Sequence, residues 1–148
     1  MRYEEAAVQL SHFKIEELKE GDTFVFRDRF SAVDVDEFAR LSGDVSPLHV
    51  SSDYAKKSGF EDRVVHGVLS TGLVSRMIGV HLPGVQSIIS SINIKFIKPI
   101  IIDTDLEVTG EVTQVSLAVG VVIVKVKVTS MDQSVNFVTA DVTVKIRK

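Results

Sequence analysis

The sequence predicts an α+β fold in which a single long helix packs against one antiparallel sheet. Hydrophobic residues alternate at a period of two in four successive C-terminal segments, the signature of half-buried strands. One earlier stretch, "HGVLSTGLVSRMIG" at residues 66–79, holds a single charged residue and is the longest helical candidate. The order is strand, helices, then strands joined by short turns. That order favours antiparallel pairing, with the helical layer on one side of the sheet.

The elements follow in order. In "TFVFRDRF", residues 23–30, Phe24, Phe26 and Phe30 share one face, which reads as a strand. From Ser31, a plausible N-cap, the period becomes helical: Val35, Phe38, Ala39 and Leu41 form a stripe that Gly43 ends. Pro47 stiffens the next turn and pushes Ser46 towards extended backbone. A short helix is expected over 51–57, stopped by Gly59. The 66–79 helix is expected to be mostly enclosed, since Arg76 is its only charge. Strands follow in "SINIKFIKP" (91–99), "DLEVTGEV" (105–112), "VVIVKVKVTS" (121–130) and "VTADVTVKI" (138–146), with hairpin tips near 116–120 and 131–134. So many valines want a large cover, so dimerisation through a sheet edge or face is expected.

Bulk properties narrow the function. A chain of 148 residues suits one domain, read as 1–148 with 1–14 as an N-terminal extension. A net charge of −3 supplies no basic field for nucleic acid. The absence of cysteine removes disulfides, thiolate nucleophiles and Cys-ligated zinc, and points to an intracellular, cytoplasmic home. Neither a secretory signal nor an apolar run of the ~20 residues that cross a bilayer is visible. The GxGxxG, GxxxxGK[ST], GxSxG and HExxH patterns are all missing, so nucleotide, triad and zinc-protease chemistry lack support.

Two features carry chemistry. "SGDVSPLHV", residues 42–50, places Asp44 and His49 on one short kinked segment. A carboxylate and an imidazole that converge can hold a water and exchange protons near neutral pH. Asp44 could equally cap a local turn, and His49 could be a bonded structural histidine, as His12 and His81 are expected to be. In "RVVHGVL", residues 63–69, His66-Gly67 opens the long helix, where unpaired amides and the helix dipole favour developing negative charge. Gly67 could instead serve only close packing on the sheet. Thr71 reads as a helix–sheet contact. Lys95, Lys98, Lys125 and Lys127 read mostly as solvated, one or two within reach of ligand phosphates. No three acid or histidine ligands visibly converge, so no metal is expected.

These residues resemble a known family. "FARLSGDVSPLHVSSDYA" (38–55) is similar to the signature of the MaoC-like (R)-specific enoyl-CoA hydratases, and "GFEDRVVHGVLSTGLVSRMIG" (59–79) to their second block. "LPG", "INIKFIKPI" and "GDTFVFRDRF" fit as well, so the likeness covers roughly residues 15–148. The resemblance implies a hot-dog fold, usually dimeric, and reversible hydration of a trans-2-enoyl thioester of CoA or acyl carrier protein. It implies that Asp44 and His49 hold the water and that the Gly67 amide polarises the thioester carbonyl. Ser46, His66 and Ser75 are expected on the substrate side, with no cofactor. One departure stands out: Ser46 occupies the position of the family's usual Asn. It keeps alive a non-catalytic acyl-CoA-binding or partner subunit. A hot-dog thioesterase is the other alternative, disfavoured by the GDxxPxH loop.

Overall fold

A computed structural model describes residues 8–148. The elements are β1 (Thr23–Asp28), α1 (Ala32–Ser42), α2 (Pro47–Val50), α3 (Ser52–Lys57), α4 (Gly67–Arg76), β2 (Ser87–Phe96), β3 (Leu106–Ser116), β4 (Val121–Ser130) and β5 (Asn136–Ile146). The strands form one antiparallel sheet in the order β1-β3-β4-β5-β2, which leaves β1 and β2 at the edges. Residues 1–7 of the expected N-terminal extension lie outside the described residues. Its remainder docks at the end of the helical layer, where the Ser11 amide donates to Val80 O (2.9 Å) and Val85 donates to Ser11 O (3.0 Å).

The alternation expected of the C-terminal strands is realised in the packing. Val122, Val124, Val126 and Val128 of β4 are buried, as are Val138, Ala140, Val142, Val144 and Ile146 of β5. Leu73 and Val74 of α4, with Met77 and Ile78 beyond it, meet this valine face in one continuous core. Gly110 of β3 makes that contact close. A Cβ there would stand 2.6 Å from the Met77 sulfur. Both hairpins fall at the expected tips.

Five details depart from expectation. β1 stops at Asp28, so Phe30 is buried from the turn beyond it while Phe24 is half-exposed. Ser46 is extended as expected (φ −52°, ψ 130°), but an unexpected helical turn, α2, follows it, with Pro47 at the first position, where its fixed φ and missing N–H cost nothing. The long helix does not end at Gly79; it continues as a π-helical turn over Met77–His81. It is also not mostly enclosed: Val68 is 68% exposed, and Gly72, Ser75 and Gly79 are exposed beside it. β2 begins at Ser87, earlier than its alternation shows, because its residues are at most half-buried and the pattern is diluted.

Candidate active site

α1 delivers the first acid. Its start is a capping box: Asp34 N donates to Ser31 Oγ (3.2 Å) and Ser31 N to Asp34 Oδ2 (2.7 Å). Its end is Gly43 at φ +77°, a left-handed conformation that glycine adopts without strain. The chain therefore reverses and presents Asp44. The Ser42 hydroxyl accepts from the Asp44 amide (3.1 Å), and Asp44 Oδ1 accepts from the Ser46 amide (3.2 Å). The local-turn role considered for Asp44 is thus real, and it engages one carboxylate oxygen. Ser46 contributes its amide; its side chain makes no capping bond to α2.

α2 turns His49 inward, where Nδ1 donates to Val64 O (2.6 Å). A carbonyl oxygen only accepts, so Nδ1 carries a proton, and in the neutral ring Nε2 keeps its lone pair. His66 is buried at 2% exposure, and its Nε2 donates to the main-chain oxygen of Asp44 (2.9 Å). Its ring stacks on His49 (centroids 3.9 Å, 27°) and meets Phe38 nearly edge-on (4.8 Å, 64°).

One ligand-type atom from each of Asp44, His49 and His66 lies within 4.8 Å of the others. Convergence of three such groups was not expected from the sequence. Groups this close can share one water: two atoms each ~2.8 Å from it, at a tetrahedral angle, stand about 4.6 Å apart.

His49 and Gly67 border the same cavity of about 300 Å³, walled also by Val64, Phe96, Ile97 and Lys98. Most of this lining is apolar, as an acyl chain requires. Gly67 is the first residue of α4, where amides lack intrahelical acceptors. Packing does not demand glycine here: a Cβ would sit 3.4 Å from the half-exposed Phe96 ring, an ordinary contact. Ser75, two turns along α4, is exposed and not among the cavity-lining residues. His66 is in the trio but covered, so it supports the other two from behind.

Two contributors escaped sequence reasoning. Arg63, whose side chain is mostly buried, donates through Nε to His49 O and through Nη2 to Asp36 of α1. Val64 holds the same loop twice: through its carbonyl to His49 and through its amide to Leu48 O (3.1 Å). Both lie in the quoted RVVH segment, but nothing in spacing singles out an arginine or a valine for these contacts. His81, read as structural, is buried and stacked on Phe24 at 4.4 Å. Burial and then the nearby Arg76 push its pKa down, which favours its neutral form.

An antiparallel sheet around one helix, with His49 and the helix-opening Gly67 on an apolar cavity and Asp44 and His66 beside His49, defines a hot-dog protein of the thioester-processing class. The chain belongs to the MaoC like domain family, whose profile matches residues 16–138. It is 38% identical over 98 residues to an (R)-specific enoyl-CoA hydratase of Rhodospirillum rubrum, covering 66% of this chain and 68% of that one. It is 34% identical over 99 residues to a 3-hydroxybutyryl-CoA dehydratase of Methylorubrum extorquens, covering 67% of this chain and 63% of that one. Among solved structures, the R-hydratase PhaJ1 of Pseudomonas aeruginosa superposes with a TM-score of 0.86 at 28% identity, over 95% of this chain and 88% of that one. Among the described residues, no helix is long and apolar enough to cross a membrane.

Proposed function

We propose that this chain catalyses the reversible syn hydration of a trans-2-enoyl thioester to an (R)-3-hydroxyacyl thioester. The names of its relatives support the reaction class. The observation that carries it for this chain is the convergence of Asp44 and His49 within reach of one water, with His49 and Gly67 on the wall of the same cavity. Water held between Asp44 and His49 Nε2 adds through oxygen to C3 of the enoyl group. Its displaced proton is taken by the dyad, and a proton from the dyad goes to C2 on the same face. Atoms balance as one water gained. The dyad works as a coupled unit. As C3 is attacked, the thioester oxygen becomes enolate-like, and the Gly67 amide with the α4 dipole stabilises it. The thioester itself makes C3 electrophilic, so the reaction needs no cofactor.

The substrate is carried on CoA or on acyl carrier protein, and the working form is a homodimer in the cytoplasm. The test mixes the protein with crotonyl-CoA, follows loss of the conjugated thioester absorbance, and determines product chirality. Hydration to the (R)-alcohol supports the reading. No turnover of short or medium enoyl thioesters would leave a binding or partner subunit, and release of free thiol would indicate a thioesterase.

A further inference from the structure

We propose that His66 is a positioning residue: its Nε2 proton and its ring face fix the acid and the imidazole of the dyad relative to each other. This rests on the hydration reading and adds the device that sets the dyad's geometry. Asp44 belongs to a loop in which residues 41–47 are all exposed, so little packing restrains it. A water-holding site tolerates little looseness, since a displacement of ~1 Å can cost about 10²-fold in rate. The loop therefore needs a rigid anchor.

His66 supplies that anchor. It sits at the junction between the bridge that pairs Val64 with Ile101 and the first turn of α4, so its backbone is held on both sides. Nε2 donates to the Asp44 carbonyl at 2.9 Å, which fixes the main chain that carries the carboxylate. The ring faces His49 at 3.9 Å, which limits rotation of the second member. Phe38, from α1, closes on the His66 ring at 4.8 Å and keeps it from swinging away. Nδ1 is buried without a hydrogen-bond partner, so only Nε2 has use for a proton. The tautomer and the ring orientation are set by surroundings on three sides. No substrate contact is needed for this role, which explains why a histidine is buried behind the two groups rather than beside the cavity.

The test uses His66→Phe, which keeps a flat ring against His49 but removes the donor, and His66→Gln, whose Nε2 restores a donor near the same place. With crotonyl-CoA, His66→Phe is expected to lower kcat about 10–100-fold with KM within about threefold. His66→Gln should recover most of that loss. In parallel, hydrogen exchange at the amides of Asp44, Val45 and Ser46 should speed up in His66→Phe and stay close to wild type in His66→Gln. In the wild-type protein, 15N shifts should show the Nε2-protonated tautomer of His66. Wild-type kcat in His66→Phe, failure of His66→Gln to recover, or an Nδ1-protonated His66 would overturn the proposal. Absence of hydration by the wild type would refute the proposed function instead. The exchange and 15N measurements then still decide the positioning role, and the 15N measurement needs no variant to fold.

Discussion

At the scale of residues, the site separates groups that act from groups that hold. Asp44 spends one oxygen on the Ser46 amide, and His49 spends Nδ1 on Val64. Each keeps its second polar atom for a water. Asp44→Asn preserves the turn but removes the proposed base, and His49→Ala removes the imidazole. Either should lower kcat by about 10²–10⁴-fold, the usual size of an acid–base contribution, in steady-state assays with crotonyl-CoA. A loss below tenfold in a folded variant would remove that residue from the mechanism. Gly67 gives a sharper test, because neither its φ nor its space requires glycine. Gly67→Ala is expected to melt within a few degrees of wild type by calorimetry. Its kcat should still fall by about 10-fold or more, since the new methyl stands where a thioester oxygen must approach the amide. A variant that is unstable yet fully active would reverse this assignment and make Gly67 a packing residue.

At the scale of elements, strands were more legible than connections. The valines of β4 and β5 alternate because one face meets the core and the other solvent, and that pattern lies wholly in the sequence. The helical turn Pro47–Val50 was missed because proline suits both extended chain and the first turn of a helix, and only the bonds of the following residues decide. The Asp44–His49 pair was legible from its motif. The bond from His66 to the Asp44 carbonyl was not, since it depends on a tautomer and on burial that a chain separation of 22 residues must fold to create. Two predictions belong to this scale. Gly110→Val on β3 would drive a side chain into buried Met77 and should cost about 1–3 kcal/mol of overpacking in urea unfolding. Adding Met77→Ala should recover part of that loss, because the two changes share one space. The β4–β5 hairpin depends on Asp132, whose Oδ1 accepts from Ser130 Oγ (2.6 Å), Ser134 Oγ (2.7 Å) and Ser134 N (3.1 Å). The Ser130 hydroxyl first, then Ser134, hold its pKa down from the ordinary 3.8 to about 2. A depressed carboxyl stabilises the fold fully above its unfolded pKa and loses that contribution as pH falls through the folded value. The Ser134 amide resonance should therefore titrate with a midpoint near 2, and in Asp132→Asn it should stay flat.

At the scale of the whole molecule, the protomer leaves apolar surface where a second copy would cover it. β2 bonds to β5 on one side only and has a free edge on the other. Its Ile88 and Phe96 are each half-exposed, as is Ile97 just beyond, and Val68 projects from the outer face of α4. Exposed strand edges in stable monomers are commonly guarded by charge, proline or a covering loop, and β2 itself carries a single lysine at Lys95. Phe96 and Ile97 are also walls of the cavity beside His49, so whatever covers β2 also encloses the substrate site. Pairing β2 with its copy about a twofold axis would satisfy the free edge of both chains at once, because such an interface uses the same surface twice. Light scattering at micromolar concentration is accordingly expected to give twice the 16.3 kDa of one chain. Ile88→Lys puts a charge on that edge without touching the dyad, and should shift the mass towards one chain and lower turnover in proportion to dissociation. A wild-type protein that stays at the mass of one chain, or an Ile88→Lys monomer with full activity, would show that the cavity is complete within one protomer.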